Sequence, residues 1–168
     1  MITEYNFRNG NITDLNQIKD LTLLAYLQFR KVFSKEFVEE WGKILSYEST
    51  YAKLFETASC FVCEYGNNII GSAFLIPSGN PYKWFDADCS YIRLVAVHPD
   101  FEGKGIGKKL TQQCIDEAKT TGENTIALHT SEFQHAARHI YESMGFVKIK
   151  NLDLMYGKQY YLYTLKIK

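Results

Sequence analysis

The 168-residue chain has no apolar run approaching the ~18 residues of a membrane span, and Met1 to Gly10 lacks a basic-then-apolar signal pattern. A cytoplasmic location is expected. Net charge is also missing, since 19 Lys+Arg balance 19 Asp+Glu. Without a long-range field to gather phosphate backbones or anionic lipid, nucleic acid and membrane are set aside as main partners, and a small partner is expected. Proline is scarce, at three, and there is no Pro/Gly/Ser-rich linker, internal repeat or low-complexity tract. Nothing marks a domain boundary, so one domain over 1–168 is expected. The four cysteines are Cys60, Cys63, Cys89 and Cys114, of which the first two form a Cys-x-x-Cys pair. That pair falls in a strand-like stretch, where a separation of three puts side chains on opposite faces. Small buried hydrophobes, with no metal and no disulfide, are the expected use.

What the chain does have is apolar content, 46% hydrophobic and 15% aromatic. At this length one core can bury roughly 70% of the surface that the unfolded chain exposes. Residues 2–8 alternate weakly as a first strand. Thr13 is placed to cap a helix running to about Phe29, and Ser34 opens a second through Phe37, Trp41, Ile44 and Leu45. Ala58 to Tyr65, the Gly66-Asn67-Asn68 turn and Ile69 to Ile76 form a hairpin signal. Tyr91 to Val97 is a strand ending at His98-Pro99, followed by Glu102-Gly103-Lys104-Gly105-Ile106-Gly107 and an amphipathic helix that Gly122 ends. Thr125 to Thr130 is the next strand. Ser131 and Gln134 have capping-box spacing for a helix to Met144, with Gly145 as its stop, and Phe146 to Lys150 and Gln159 to Ile167 close the pattern. The order β-α-α-β-β-β-α-β-α-β-β describes an α/β protein, a mixed sheet with helices on both faces.

Glycines at alternate positions between a strand and a helix let backbone approach a ligand where the helix start offers unpaired N–H groups. This is an anion site suited to phosphate, with Lys104, Lys108 and Lys109 nearby; a plain tight turn beside a solvated lysine face fits the same residues. A nucleoside-triphosphate loop is excluded, because Gly107-Lys108 is followed by Lys109 and has no glycine five positions earlier. A dinucleotide fold is excluded too, since the third glycine comes too soon and the next strand ends in His129-Thr130 rather than an acid.

The loop resembles the pyrophosphate-binding signature of the GNAT superfamily of acyl-CoA-dependent N-acetyltransferases, Arg/Gln-x-x-Gly-x-Gly/Ala, with Glu102, Gly105 and Gly107 at those positions. Leu94 to Pro99 looks like the family's preceding strand and turn, and Ala137 to Phe146 like its second signature. The resemblance is specific from about Ile92 to Phe146, and element order extends it over nearly the whole chain. It implies the acyl-CoA N-acyltransferase fold, with the sheet splayed between the fourth and fifth strands, and acetyl-CoA as cosubstrate with no metal. By the same resemblance Val95, Ala96 and Val97 pair with the pantetheine amides. Backbone N–H groups of Gly103, Lys104, Gly105, Ile106, Gly107 and Lys108 hold the diphosphate, and Glu102, Gln134, Ala137 and Tyr141 border the cosubstrate. Two departures are Glu102, in place of Arg or Gln, and Gln134, where Asn is common.

The implied reaction is direct attack of an amine on the thioester, with a strand N–H, that of Val95, facing the oxyanion. An alkyl amine of pKa about 10.4 is unprotonated in roughly one molecule in two thousand at neutral pH, so a proton route is needed. Tyr141 matches the family tyrosine that protonates the CoA sulfur. No carboxylate falls in register on the strand before the loop, where Tyr91 stands instead. Asp88 and His129 are the candidate bases, against a solvated loop acid and a satisfied structural histidine, and water-mediated removal needs neither. His135 and His139 lie four apart on one helix but have no third metal ligand at any recognisable spacing. The acceptor region draws on Tyr26, Phe29, Phe33, Trp41, Trp84, Phe85 and Tyr156, which also suit a core, with Asp86 and Asp153 as partners for an ammonium. Acetyl transfer to a primary amine of a small molecule, or a peptide, is the expected activity. A noncatalytic acyl-CoA sensor or a regulatory module on the same fold is the rival, and a homodimer is admitted without being required.

Overall fold

The computed structural model describes residues 4–168. In chain order the elements are β1 (Tyr5–Asn9), α1 (Leu15–Leu27), α2 (Lys35–Ser46), α3 (Glu48–Thr57), β2 (Ser59–Tyr65), β3 (Asn68–Ile76), β4 (Ser90–Val97), α4 (Ile106–Thr120), β5 (Thr125–Ser131), α5 (His135–Ser143), β6 (Val147–Asn151) and β7 (Tyr160–Lys166). Of the first strand expected over residues 2–8, residues 2 and 3 lie outside the described residues.

One helix more than expected is present. α3 starts after Tyr47, which offers no side-chain oxygen to the free N–H groups, so no capping residue announces it. Its fully buried face amounts to Tyr51 and Leu54, and the Tyr51 hydroxyl donates to Leu45 O at 2.8 Å, tying α3 to the end of α2. The start of α1 also differs. Asn11, not Thr13, opens the segment by capping a 3-10 turn, Ile12–Asp14, that runs into α1: its Oδ1 accepts from Thr13 N at 2.9 Å while its own N–H donates to Asp14 Oδ2 at 2.9 Å, and α1 itself begins after Asp14 with no side-chain cap. Ser34 caps α2 as expected, accepting from Phe37 N at 3.2 Å.

The seven strands form one sheet in the order β1-β2-β3-β4-β5-β7-β6, antiparallel at every junction except β4 with β5. One face carries α1 and α3, whose Ile18, Leu21, Tyr51 and Leu54 pack on Val62, Phe74 and Ile76. The other carries α4 and α5, whose Leu110, Cys114, Ile115 and Tyr141 pack on Cys63, Leu75, Ile92 and Leu128. Cys60 belongs to the first face and Cys63 to the second, as a separation of three on a strand requires, and all four cysteines are free and buried. α4 comes close to the sheet because β3 has Gly71 beneath it; a Cβ there would lie 2.7 Å from Ile106 Cγ2 and 2.9 Å from Leu110 Cδ1. No helix among the described residues is long and apolar enough to cross a membrane.

The parallel junction is short. β4 and β5 pair only at Ser90↔Ile126 and Tyr91↔Ala127, reinforced by Ser90 Oγ donating to Thr125 O at 3.1 Å. Past that point β5 stays fully paired with β7, and β4 with β3 alone. The two strands therefore part toward their C-terminal ends, where backbone groups on their facing edges have no strand partner.

Candidate active site

At the opening, β4 is bulged. Ser72 pairs with Ala96 and Phe74 with Arg93, so Leu94 and Val95 together face Ala73 alone. Leu94 has φ +51°, a left-handed conformation that costs a branched residue on the order of 1–3 kcal/mol and persists only where its surroundings enforce it. The extra residue resets the alternation. Leu94 packs on the α1 face and Val95 on the α4 face, while the Arg93 guanidinium stacks over Tyr82, itself packed against the α1 face. Arg93 and Leu94 thus turn consecutive side chains the same way, and Leu94 and Val95 are left without a paired residue on either neighbouring strand.

Following β4, a turn of Pro99–Phe101 leads into the glycine loop. Gly103 at φ +72° and Gly105 at φ +78° turn the chain so that Gly105 caps α4 with no side-chain bond. Glu102 N donates to Pro99 O and Lys109 N to Gly105 O. Between them, the N–H groups from Gly103 to Lys108 have no acceptor among the described residues. Successive unpaired N–H groups at a helix start make a nest for an anion. Of the neighbouring lysines, Lys104 lies 4.9 Å over the Phe101 ring and Lys109 4.8 Å over that of Phe7. Glu102 is exposed and makes no ion pair among the described residues, so its carboxylate stays in solvent instead of turning into the nest.

α5 borders the opening from the α4 side. The Ser131–Gln134 pair works differently from a helix-opening box. Gln134 Oε1 accepts from Ser131 N at 3.1 Å, Ser131 Oγ at 2.8 Å and Thr130 Oγ1 at 3.3 Å, and the helix begins one residue later with no side-chain cap. Only the Gln134 amide NH2 is left for another partner. Ala137 is half-buried, and Tyr141 is buried with its ring 5.9 Å from that of Phe146. The Tyr141 hydroxyl makes no hydrogen bond among the described residues. Its pKa is raised well above the usual phenol value by burial first and then by Tyr26 and Cys114. Tyr26 sits on α1, across the sheet, so its influence reaches Tyr141 from the opposite face.

On the α1 face the opening is walled by aromatic rings. Tyr26 meets Trp41 at 5.1 Å, Phe33 meets both Phe37 at 4.4 Å and Phe133 at 5.0 Å, and Phe29 meets Phe133 at 5.3 Å. Phe37 on α2 also lies 3.8 Å from Tyr156, ring centre to ring centre, joining α2 to the β6–β7 connection. His129, on β5, lies 5.2 Å from Trp84, 5.8 Å from Phe85 and 6.1 Å from Tyr160. Its Nδ1 is buried without a partner among the described residues. Burial, then the charges of Arg93 and Lys83, pushes its pKa down to about 4, so the ring is neutral at neutral pH and a weak base.

The sequence candidates are not all brought together. Val95 to Val97, the loop from Glu102 to Lys108, and Gln134, Ala137 and Tyr141 surround the opening. Asp88 does not join them: it is exposed and precedes Ser90, at the pinned end of the β4–β5 junction. Asp86 and Asp153, expected beside an ammonium, are exposed and make no ion pair among the described residues. Sequence reasoning missed Arg93. Its signal was one cation inside the otherwise uncharged run Tyr91-Ile92-Arg93-Leu94-Val95-Ala96-Val97 just before the glycine loop. His135 and His139 are exposed, the former 3.0 Å from Arg138 Nη2, and no cluster of three or more His, Cys, Asp or Glu able to hold a metal occurs among the described residues.

Comparison with known proteins bears on this geometry. Residues 26–146 match the model of the acetyltransferase (GNAT) family. The chain is 42% identical over 53 residues to the L-amino acid N-acyltransferase MnaT of Escherichia coli, covering 32% of this chain and 31% of that protein. It is 27% identical over 157 residues to an uncharacterized N-acetyltransferase of Methanocaldococcus jannaschii, covering 87% and 62%. The chain therefore spans less than two thirds of the length of these curated relatives. Among solved structures, the PaiA N-acetyltransferase of Thermoplasma acidophilum, in complex with coenzyme A, superposes with a TM-score of 0.78 at 16% identity, over 97% of this chain and 99% of that one. A putative acetyltransferase of Salmonella typhimurium with acetyl-CoA gives 0.72 at 20% identity, over 98% and 94%. At these identities the likeness is one of fold.

Proposed function

The chain belongs to the acetyltransferase (GNAT) family, and on that premise we propose that it transfers the acetyl group of acetyl-CoA to a primary amine of a small molecule. The observation that carries the reading is the row of N–H groups from Gly103 to Lys108, without acceptors among the described residues and one short turn beyond the strand whose edge lies open. A diphosphate in that nest would leave the pantetheine arm to pair along Val95 to Val97, as an added strand does, with the thioester at the bulge. Coenzyme A and acetyl-CoA in the Thermoplasma and Salmonella structures, which share the fold, support the choice of cosubstrate.

In this reading the neutral amine attacks the thioester carbon and the C–O π pair moves to oxygen, where the Val95 N–H at the bulge stabilises it. Collapse reforms the carbonyl and breaks the C–S bond. Tyr141 holds its proton at neutral pH and donates it to the sulfur as that bond breaks; the proton lost by nitrogen returns to the phenolate or to solvent. β4 carries no carboxylate, and His129 is a weak base, so in this reading water removes the ammonium proton before attack.

The missing carboxylate also suits a noncatalytic acyl-CoA binder. Thiol release from acetyl-CoA across a panel of amines separates the two. Acceptor-dependent release supports the transferase, whereas tight CoA binding with no release from any amine overturns it.

A further inference from the structure

Arg93 is a cation without a counter-ion. It is half-buried on β4 at the bulge and makes neither an ion pair nor a hydrogen bond among the described residues. Its guanidinium lies over the face of Tyr82, 4.3 Å from its central carbon to the ring centre. Lys83 lies over Tyr82 at 5.2 Å, and His129, neutral for the reasons given above, presents a buried Nδ1 with no partner. The groups are held together by Tyr91, two residues before Arg93, which stacks on Phe85 at 4.3 Å; Phe85 in turn lies 5.8 Å from His129. Tyr82 and Phe85 exchange backbone hydrogen bonds of 2.9 and 3.0 Å, so the platform beneath the guanidinium is fixed.

A half-buried guanidinium has given up part of its hydration and offers a planar fork of donors matched to a carboxylate. Partly buried cations ordinarily have an anion beside them, as Arg8 has Asp14 and Glu64 in this same chain. That no such anion pairs with Arg93 among the described residues, on the α1 face of the opening, leaves that place to the substrate. The same positive charge disfavours polyamines and other acceptors whose remaining groups are cationic.

We propose that Arg93 binds a carboxylate of the acceptor, so that the substrates are amines that also carry a carboxylate, amino acids being the simplest class. The inference rests on the transferase reading above and narrows its acceptor.

The test pairs α-, β- and γ-amino acids, with L-phenylalanine and L-leucine among the α set, against the corresponding amines without the carboxylate. Acetyl transfer is followed by thiol release, and binding independently by the fluorescence of Trp41 and Trp84. The best amino acid should exceed its decarboxylated counterpart by about 100-fold or more in kcat/KM. Arg93→Gln should raise its KM at least about tenfold and abolish the preference, Arg93→Lys should restore part of it, and CoA affinity by calorimetry should stay within about twofold in both variants, which also shows that they are folded. Decarboxylated amines serving equally well, or an Arg93→Gln enzyme with the preference intact, would overturn the proposal. Arg93-dependent binding of amino acids with no thiol release from any acceptor would uphold the carboxylate site and sink the transferase reading instead.

Discussion

Gly105 and Gly107 flank Ile106 at the start of α4 under different constraints. Gly105 has φ +78° with nothing within 4 Å of where a Cβ would lie, whereas a Cβ on Gly107 would make ordinary contacts of 3.6 Å with Val97 Cγ2 and 3.7 Å with Ile140 Cδ1. One glycine is required by backbone conformation and by what must approach it, the other by neither. Gly107→Ala should therefore keep stability within about 0.5 kcal/mol and CoA affinity within a few-fold, since Ala also favours the helix. Gly105→Val should cost roughly 1–2 kcal/mol and weaken CoA binding at least about tenfold. Thermal melts and calorimetry on the two variants check both.

Tyr141→Phe separates chemistry from binding. The ring stays in its buried place against Phe146, so packing is preserved, and only the donor to sulfur is lost. Turnover should fall by about 10²-fold, with CoA affinity changed less than about twofold. Equal turnover in variant and parent would remove the acid role.

His129 should titrate near 4 by NMR, not near its ordinary 6.5. Because the folded value is depressed, its contribution to stability is complete above about 6.5 and is lost as pH falls toward 4, where the unfolded chain binds a proton that the folded one refuses. His129→Gln should flatten the stability–pH curve across that window. The pH profile of kcat/KM should show no inflection from this residue near 6.5.

A second acid-sensitive element sits away from the site. Arg8 donates to both Asp14 oxygens at 2.8 Å and to Glu64 at 2.6 and 2.9 Å, joining β1, the start of α1 and β2. Those hydrogen bonds hold both carboxyls below their usual range, so their stabilisation is full above about pH 4–5 and disappears as pH falls through the depressed values. Arg8→Met should cost roughly 2 kcal/mol at pH 7, between the exposed and fully buried limits, and the difference from the parent should vanish in acid. Urea titrations at pH 7 and pH 3 read it.

The strand, glycine loop and helix around Gly105 were legible because a positive φ has few residues that satisfy it, and the sequence places glycine there. The splay between β4 and β5 was legible only through the family resemblance. The bulge at Leu94, just beyond the last β4–β5 pair, leaves no trace in composition, since a leucine in a strand ordinarily adopts extended backbone. α3 escaped because Tyr47 provides no cap and only Tyr51 and Leu54 are fully buried along it. Asp88 looked close to the strand in sequence, but strand direction puts it at the pinned end. Arg93 was read as one residue of a strand; its role emerges only once the bulge and the Tyr82–Phe85 turn show what does not pair with it.

The central claim is that the backbone from Gly103 to Lys108 holds the diphosphate of acetyl-CoA. An amide-resolved NMR titration with CoA measures it directly: the N–H resonances of those residues should show the largest shifts, moving together at one dissociation constant, with Val95 to Val97 following. Binding that leaves the loop amides unmoved, or no binding at millimolar CoA, would contradict it.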